Sequence, residues 1–417
     1  MVACSSTQPV VFLRAAKQNE TSGTQADLLH VGLIISSFVP QSAIMLTTDH
    51  LIAERMRSFD SSGIRKMFEM AAKLKDPINL SIGEPDFDVP SDVKQSLIDA
   101  IQAGKNGYAP PQGIPPLREE LQRRINRQFN HPNRKVMVTS GTSGALHLLM
   151  MTLLNPGDEV IIFDPYFVAY DALANLAEGV VKPISTYPDF QIDLDQVSDT
   201  ITDRTKMIIV NSPGNPTGIC WDANRLRDLA VMAQQRGICL VSDEIYSDFS
   251  YDQPHRCAAE FNSEAIVVSG FSKSHAMTGL RLGYAHGPAE IINAMTQLQQ
   301  FTFVCAPQPC QWAGMTALES DVSHRVVEYR RKRDIVVEGL RGTYELVAPG
   351  GAFFAFPKLP WGTGEEFAQR AVENNLLIIP GKVFSRRDTH FRISLAASDE
   401  KLQRGIDVLR KIAKQGP

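Results

Sequence analysis

The fold class of this chain follows from one stretch of its sequence, Ala265-Ile266-Val267-Val268-Ser269-Gly270-Phe271-Ser272-Lys273. Its first five residues form a short run rich in Val and Ile, which is typical of a strand buried on both faces of a sheet. A glycine and a lysine follow the run, and Arg281 precedes the next apolar run, Leu282–Ala285. Because ligands of open α/β sheets bind at the carboxyl ends of the strands, Lys273 and Arg281 are the first candidates for a functional site.

Similar apolar runs recur along the chain from about Asp92, and amphipathic segments of helical period separate them. This alternation predicts an α/β domain whose mostly parallel sheet is covered by helices on both faces. With Leu282–Ala285, the sheet is predicted to have seven strands. The other six are Lys135–Thr139, Glu159–Phe163, Val180–Ile184, Lys206–Asn211, Ile238–Ser242 and Ala265–Ser269.

The C-terminal part of the chain has shorter strand-like runs between helical segments and predicts a second, smaller α+β domain. Those runs are Tyr344–Val347, Ala352–Phe356, Leu376–Ile379 and Phe391–Leu395. We therefore expect an N-terminal extension (1–50), an arm with part of the small domain (51–91), a large domain (92–322) and a small domain (323–417). The apolar stretch of the extension, Val31–Met45, is too short to span a bilayer, and we expect the extension to be disordered or not native.

Composition argues against several classes of function. The chain has 417 residues, of which 43% are hydrophobic, so it can bury the cores of a two-domain globular protein. Its formal net charge is −4 with the two signs intermixed, and neither a nucleic acid nor a membrane is an expected partner. Its 6 cysteines form no Cys-x-x-Cys pair and have no histidine at metal-ligand spacing. We therefore expect no metal site and no disulfide framework, and a reduced, cytoplasmic setting.

A phosphate site is indicated by Ser140-Gly141-Thr142-Ser143-Gly144, where a predicted strand turns into the predicted helix Ala145–Leu154. Backbone N–H groups at a helix N-terminus bind anions, although the same residues could form a simple helix cap. A lysine in a partly desolvated site can form a Schiff base, and Arg281 offers a planar fork that matches a phosphate. The alternative, a solvated lysine and a surface arginine, is disfavoured because Gly279 and Gly283 flank the arginine between apolar strands.

Seven motifs occur in a fixed order between about residues 80 and 396: Gly83-Glu84-Pro85-Asp86-Phe87, Tyr108 with Gly113, Asn215-Pro216-Thr217-Gly218, Asp243-Glu244-Ile245-Tyr246, Ser272-Lys273, Arg281 and Arg392. In this order they resemble the class I/II aminotransferases, and the pattern is most similar to bacterial aspartate and aromatic aminotransferases. The resemblance implies the fold-type-I architecture, the cofactor pyridoxal 5'-phosphate and a homodimer with shared active sites. It also implies transfer of an amino group between an L-amino acid and a 2-oxo acid.

The resemblance implies a role for each residue around the cofactor ring. Lys273 would hold the cofactor as a Schiff base and would later move a proton from the α-carbon of the substrate. Asp243 would pair with the pyridine nitrogen and keep it protonated, which makes the ring an electron sink. Tyr246 and Asn215 would hydrogen-bond the phenolic oxygen, and Phe167 would stack on the ring. Outside this pattern, Asp243 could be a helix cap and Asn215 a turn residue, and the two aromatic residues could belong to the core.

The resemblance also implies a set of phosphate contacts. The residues expected to bind the phosphate within one subunit are Gly141, Thr142, Ser143, Ser272 and Arg281. Tyr108 would reach the phosphate site of a second subunit, as in the dimers of the family. Many members carry a serine three residues before the lysine, whereas this chain has Gly270 there, so the phosphate is expected to have one hydrogen bond fewer or to use Ser272.

Arg392 matches the arginine that binds the α-carboxylate of the substrate as a bidentate pair, with Asn215 and the backbone near Gly83 as further contacts. It could also be a surface arginine on an edge strand. In one bacterial aspartate aminotransferase subgroup, a lysine of the phosphate motif binds the distal carboxylate, and this chain has Ser143 there. A serine supplies no charge, so unless a cation from elsewhere, such as the partner subunit, replaces the lysine, we expect an enzyme that accepts aspartate or glutamate and also neutral or aromatic amino acids.

Three rival functions use the same scaffold. Carbon–sulfur lyases and cyclopropane-carboxylate synthases share the steps up to the loss of the α-proton and differ afterwards. A pyridoxal-phosphate-dependent transcription regulator is disfavoured because its basic winged-helix domain would not fit into the first 50 residues, which are only weakly basic.

Overall fold

The computed structural model of the protein describes residues 48–58 and 74–416. The chain divides into two compact units, Met1–Ile52 and Ala53–Pro417. The described part of the first unit contains a 3-10 helix, Thr48–Leu51. Most of the predicted extension (1–50) and part of the predicted arm (51–91) lie outside the described residues, so the domain boundaries stay predictions.

The strands of the described residues belong to the second unit and are β1 (Ile78–Asn79), β2 (Arg134–Ser140), β3 (Glu159–Asp164), β4 (Val180–Ser185), β5 (Thr205–Asn211), β6 (Cys239–Asp243), β7 (Ile266–Gly270), β8 (Leu282–Pro288), β9 (Phe354–Ala355), β10 (Leu376–Leu377), β11 (Ile379–Pro380) and β12 (Phe391–Ser394).

The α-helices described are α1 (Ser91–Gln102), α2 (Pro115–Gln128), α3 (Gly141–Leu153), α4 (Ala169–Leu176), α5 (Leu194–Thr200), α6 (Ala223–Gln235), α7 (Ala289–Phe301), α8 (Gln308–Glu319), α9 (Ser323–Leu340), α10 (Gly364–Glu373) and α11 (Asp399–Gln415). Short 3-10 helices of the second unit are Glu54–Ser58, Ser247–Phe249, Ala258–Glu260 and Gly381–Val383. No helix among the described residues is long and apolar enough to cross a membrane.

Seven strands form one sheet in the order β2-β8-β7-β6-β5-β3-β4, and only β8 runs antiparallel to its neighbours. The sequence prediction of a mostly parallel seven-stranded sheet is confirmed. Both faces are covered, since Ile161 belongs to one hydrophobic core and the next residue, Ile162, belongs to another. This is why the strands read as continuous apolar runs instead of alternating ones.

The strand order shows which edge of the sheet is suited to bind a ligand. Asn211 at the end of β5 lies opposite Asp243 at the end of β6, and Asp243 lies opposite Val268 of β7. The two strands β6 and β7 extend one residue beyond their predicted ends, so Asp243 and Gly270 still belong to the sheet. The carboxyl ends of three adjacent parallel strands therefore meet at one edge, where ligands of such sheets bind.

The C-terminal part contains an antiparallel sheet in the order β11-β12-β9, and its strand β10 pairs in parallel with β1, which precedes the large sheet in the sequence. The predicted strand Tyr344–Val347 was wrong. The Tyr344 N–H donates to the Leu340 carbonyl at the end of α9, and its hydroxyl donates to the Leu409 carbonyl at 2.7 Å. Tyr344 thus follows the end of a helix and packs into the core, and residues 344–347 form no strand.

Candidate active site

A cavity of about 520 Å³ opens at the carboxyl ends of β5, β6 and β7. The predicted site residues that line it are Gly83, Thr142, Ser143, Phe167, Asn215, Asp243, Tyr246, Ser272, Lys273, Arg281 and Arg392. A larger cavity of about 820 Å³ lies beside α2 and β2, and none of these residues lines it. The smaller cavity is the better candidate because it collects the titratable groups that suit catalysis.

Lys273 lies in the turn after β7, and its Nζ donates a hydrogen bond to the Gly83 carbonyl oxygen at 2.6 Å. Burial lowers the pKa of Lys273 to about 8, whereas the carboxylate of Glu84 raises it. A lysine with this pKa is partly neutral near physiological pH. Its amine can then attack a carbonyl carbon or accept a proton.

Asp243 is the last residue of β6 and is only 2% exposed. Its Oδ2 accepts a hydrogen bond from the Tyr170 hydroxyl at 2.7 Å, and its Oδ1 accepts one from the Ile245 N–H at 3.3 Å. Burial raises the pKa of Asp243 to about 6, while both hydrogen bonds lower it. Sequence reasoning missed Tyr170, which also lines the cavity.

Two asparagines connect Asp243 to Arg392 through a chain of hydrogen bonds. The Asn211 side-chain amide donates to the Asp243 carbonyl at 2.9 Å, and the Asn215 N–H donates to Asn211 Oδ1 at 2.9 Å. Asn215 Oδ1 in turn accepts a hydrogen bond from Arg392 Nη1 at 3.0 Å. Tyr246 is 4% exposed, and burial raises its pKa. Asn211 is a second residue that the sequence motifs had not singled out as part of the site.

Arg392 stands on β12 and is 5% exposed, so it is not the surface arginine of the alternative interpretation. The centroids of the Phe354 and Phe384 rings lie 4.5 and 4.6 Å from its guanidinium carbon. Its Nη2 donates to the Ser81 carbonyl at 2.7 Å, and its Nε is buried without a partner among the described residues. Burial lowers the pKa of Arg392 to about 10, so the guanidinium stays positive at neutral pH.

The part of the cavity at the start of α3 has the geometry of an anion site. Helix α3 begins at Gly141, earlier than the predicted start at Ala145, and Gly141 has a φ of 71°. A Cβ added there would lie 2.7 Å from Arg281 Nη2, so the absence of a side chain lets the guanidinium approach the helix N-terminus. Thr142 Oγ1 is buried without a partner among the described residues, and Ser143 is exposed. These donors surround a helix end that favours negative charge.

Close packing around position 270 explains why this chain has a glycine there. A Cβ added to Gly270 would lie 2.9 Å from both the Gly283 Cα and the Leu282 carbonyl oxygen. It would also lie 3.2 Å from Thr142 Oγ1. Strands β7 and β8 and the start of α3 are therefore too close for the serine that many members of the resembling family carry.

Three further predicted residues differ in their position relative to the cavity. Phe167 lines the cavity, and its ring contacts the Tyr170 ring edge-on with the centroids 5.7 Å apart. Tyr108 is 85% exposed and does not line the cavity of its own chain. Ser272 is buried at the cavity wall next to Lys273.

A family model described as aminotransferase class I and II matches residues 75–409. The chain belongs to this family. It is 37% identical to a probable aspartate aminotransferase of Methanocaldococcus jannaschii over 87% of this chain and 100% of the relative. It is also 37% identical to an aspartate/prephenate aminotransferase of Thermus thermophilus, over 83% of this chain and 94% of the relative.

Solved structures of aminotransferases show the same architecture. An aspartate aminotransferase of Thermotoga maritima matches with a TM-score of 0.83 and 32% identity, over 87% of this chain and 100% of that chain. A Thermus thermophilus aspartate aminotransferase with maleate matches with a TM-score of 0.82 and 35% identity, over 87% and 99%. The protein thus has the fold-type-I architecture, and it is a pyridoxal-phosphate-dependent aminotransferase that moves an amino group between an L-amino acid and a 2-oxo acid.

The residues of the cavity fit pyridoxal 5'-phosphate. The cofactor has an aldehyde, a basic ring nitrogen and a phosphate, and the cavity offers an amine, a buried carboxylate and an anion site for these groups. At the anion site, the buried Thr142 Oγ1 has no partner within the part of the chain that the structure describes, and Gly141 leaves room for the Arg281 guanidinium. The volume of about 520 Å³ also lies in the range of small-molecule sites.

Proposed function

We propose that Lys273 binds the cofactor and acts as the general base, that Asp243 holds the ring nitrogen, and that Arg392 binds the α-carboxylate of the amino acid. One observation carries the assignment: an amine with a pKa of about 8, a buried carboxylate and a buried guanidinium line one cavity. The cofactor supplies an electron sink for the charge that develops when the α-proton leaves.

Each residue has a defined task in this proposal. The Lys273 amine would accept the proton from the α-carbon of the substrate and would then donate it to the cofactor. Asp243 supplies a negative charge where the ring nitrogen must stay protonated. Asn215 and Tyr246 are assigned to the phenolic oxygen of the cofactor, and Phe167 to one face of its ring.

The phosphate is assigned to the N-terminus of α3 together with Arg281, Ser272 and Thr142. A planar guanidinium and backbone N–H groups are strong phosphate donors, so this end should contribute most of the cofactor affinity. Gly270 cannot contribute a hydroxyl. Thr142 and Ser272 are the buried hydroxyls that line the cavity near this position.

The substrate range follows from the charges of the cavity. The cationic side chains among its described lining residues are Lys273, Arg281 and Arg392, and each is already assigned to the cofactor or to the α-carboxylate. No further cation among the described lining residues is left for a distal carboxylate, and Ser143 offers only a hydroxyl. We therefore propose a broad enzyme that accepts aspartate or glutamate and also neutral or aromatic amino acids. The names of the relatives, which include aspartate and aspartate/prephenate aminotransferases, agree with this range.

We further propose a homodimer that shares its active sites and works in the cytoplasm. Two aromatic side chains, Tyr108 and Phe301, are 85% and 78% exposed, which favours a surface that a second copy covers. Reduced thiols are typical of the cytoplasm. The free cysteines of the described residues are Cys220, Cys239, Cys257, Cys305 and Cys310.

Half-reactions test the proposed function. The purified holoenzyme is mixed with one amino acid at a time, without an oxo acid, and the cofactor absorbance is followed while the released products are identified. We expect the matching 2-oxo acid as product with aspartate, phenylalanine and alanine, and no reaction with Lys273→Ala. L-Cystathionine, which has a carbon–sulfur bond, is tested in the same way, and release of ammonia and a thiol from it would instead indicate lyase chemistry. A preference for aspartate above about a hundredfold, or roughly 2.7 kcal/mol, would contradict the proposed substrate range.

A further inference from the structure

The shortest side-chain hydrogen bond to Asp243 comes from Tyr170. Its hydroxyl donates to Asp243 Oδ2 at 2.7 Å, whereas the Ile245 N–H lies 3.3 Å from Oδ1. Tyr170 is 2% exposed and stands in the first turn of α4. A bond between two buried groups is neither screened nor replaced by water, so it has a strong influence on the carboxylate.

The surroundings of Asp243 bring the pKa of its carboxyl close to physiological pH. Its pKa is raised to about 6, chiefly by burial and to a smaller extent by Glu244, while Tyr170, the Ile245 N–H and Lys273 lower it. The groups that face Asp243 are Tyr170 from α4, Glu244 and Tyr246 from the segment after β6, and Lys273 from the turn after β7. Among the side chains, Tyr170 has the largest lowering effect. Without it, the neutral carboxyl would be populated at physiological pH.

Tyr170 is also tied to the predicted stacking residue. Its N–H donates to the Phe167 carbonyl at 3.0 Å, and its ring meets the Phe167 ring edge-on. One side chain thus contacts both the wall of the cavity assigned to the cofactor ring and the carboxylate assigned to the ring nitrogen.

We propose that Tyr170 is a positioning residue that holds the Asp243 carboxylate ionised and fixes its orientation toward the site of the cofactor ring nitrogen. The proposal rests on the role of Asp243 given above. Tyr170 itself needs no contact with the substrate. It acts through the charge of Asp243, so its effect should depend on the ring nitrogen and on pH.

The test compares the binding of two probes to the full chain freed of cofactor. The probes are pyridoxal phosphate and its 1-deaza analogue, in which carbon replaces the ring nitrogen. Dissociation constants are measured by fluorescence titration at pH 7 and pH 9 for the wild type, Tyr170→Phe and Asp243→Asn. The matched control is Tyr187→Phe, which removes a hydroxyl that donates to Ser385 Oγ at 3.0 Å outside this cavity.

At pH 7, Tyr170→Phe should weaken the binding of pyridoxal phosphate by about tenfold for each pH unit by which the Asp243 pKa rises above 7. The difference between the dissociation constants of pyridoxal phosphate for the wild type and for Tyr170→Phe should be smaller at pH 9, because Asp243 is ionised in both proteins there. The deaza analogue should bind the wild type and Tyr170→Phe within about twofold, because it has no nitrogen for Asp243 to hold. Tyr187→Phe should leave the binding of both probes unchanged.

Two results would overturn the proposal while the proposed function stands. One is an equal weakening of both probes by Tyr170→Phe, which would indicate a packing role. The other is unchanged binding of pyridoxal phosphate to Tyr170→Phe at pH 7 while Asp243→Asn weakens it. If Asp243→Asn also binds pyridoxal phosphate like the wild type, the role of Asp243 fails, and both proposals fall with it.

Discussion

Replacing Arg392 with lysine should lower the catalytic efficiency toward amino acids by roughly 10- to 150-fold. The guanidinium is fixed in place by hydrogen bonds to Asn215 Oδ1 at 3.0 Å and to the Ser81 carbonyl at 2.7 Å. The rings of Phe354 and Phe384 lie 4.5 and 4.6 Å from its central carbon. The fork is therefore in position before a substrate carboxylate arrives.

The size of the effect follows from what lysine keeps and what it loses. Lysine keeps the positive charge but offers a point charge in place of a planar fork, so one of two parallel hydrogen bonds to the carboxylate is lost. A hydrogen bond to a charged group contributes roughly 1.5–3 kcal/mol. Since about 1.4 kcal/mol corresponds to a factor of ten in rate, this loss gives the range above.

The assay is the half-reaction of the holoenzyme followed by stopped-flow absorbance. L-Phenylalanine is compared with phenylethylamine, which lacks the carboxylate and serves as the matched control. In the lysine variant, the second-order rate constant should fall for phenylalanine and change little for phenylethylamine. The dissociation constant of the cofactor should change less than the rate constant for phenylalanine, because Arg392 touches the residues assigned to the cofactor through its hydrogen bond to Asn215 Oδ1 and is not part of the anion site at the start of α3.

An equal loss of rate with both compounds would refute the reasoning, because it would mean that Arg392 supports the cavity and does not recognise the carboxylate. Full activity of the lysine variant toward phenylalanine would refute it as well. In that case another group would have to bind the carboxylate.

Three further results are expected. Because burial lowers the pKa of Lys273 to about 8, the rate of covalent cofactor capture by the apoprotein should rise about tenfold from pH 7 to pH 9 and then level off; a rise that continues beyond pH 10 would indicate an ordinary lysine. Ser143→Lys should raise the efficiency for aspartate relative to phenylalanine in steady-state assays, and an unchanged ratio would place the side-chain pocket elsewhere. Tyr108→Phe should weaken cofactor binding. When the protein is diluted, light scattering and activity measured on the same samples should show that only dimers are active; a fully active monomer would contradict this.

The large sheet could be predicted because its information is local. Runs such as Glu159–Phe163 are apolar throughout and are bounded by turn residues, and the observed strand Glu159–Asp164 differs by one residue. The predicted strand Tyr344–Val347 failed for the opposite reason. Its residues are used by partners distant in sequence, such as the Leu409 carbonyl, which a local pattern cannot show.

In the candidate site too, the residues in local motifs could be predicted, whereas a residue that depends on a partner distant in sequence could not. Lys273, Asp243 and Arg392 stand in motifs that could be identified directly, and the cavity brings them together. Tyr170 was missed because its hydroxyl meets a carboxylate that is 73 residues away. Its only local signal was its position three residues after Phe167, a spacing that places both side chains on one side of a helical turn.

The most direct test of the account is to find the lysine that carries the cofactor. The holoenzyme is reduced with borohydride, digested and mapped by mass spectrometry, with Lys273→Ala as the control. The account predicts that the reduced cofactor is attached to Lys273 alone and that the variant carries none and has no transaminase activity. Attachment to any other lysine in the wild type would contradict the account.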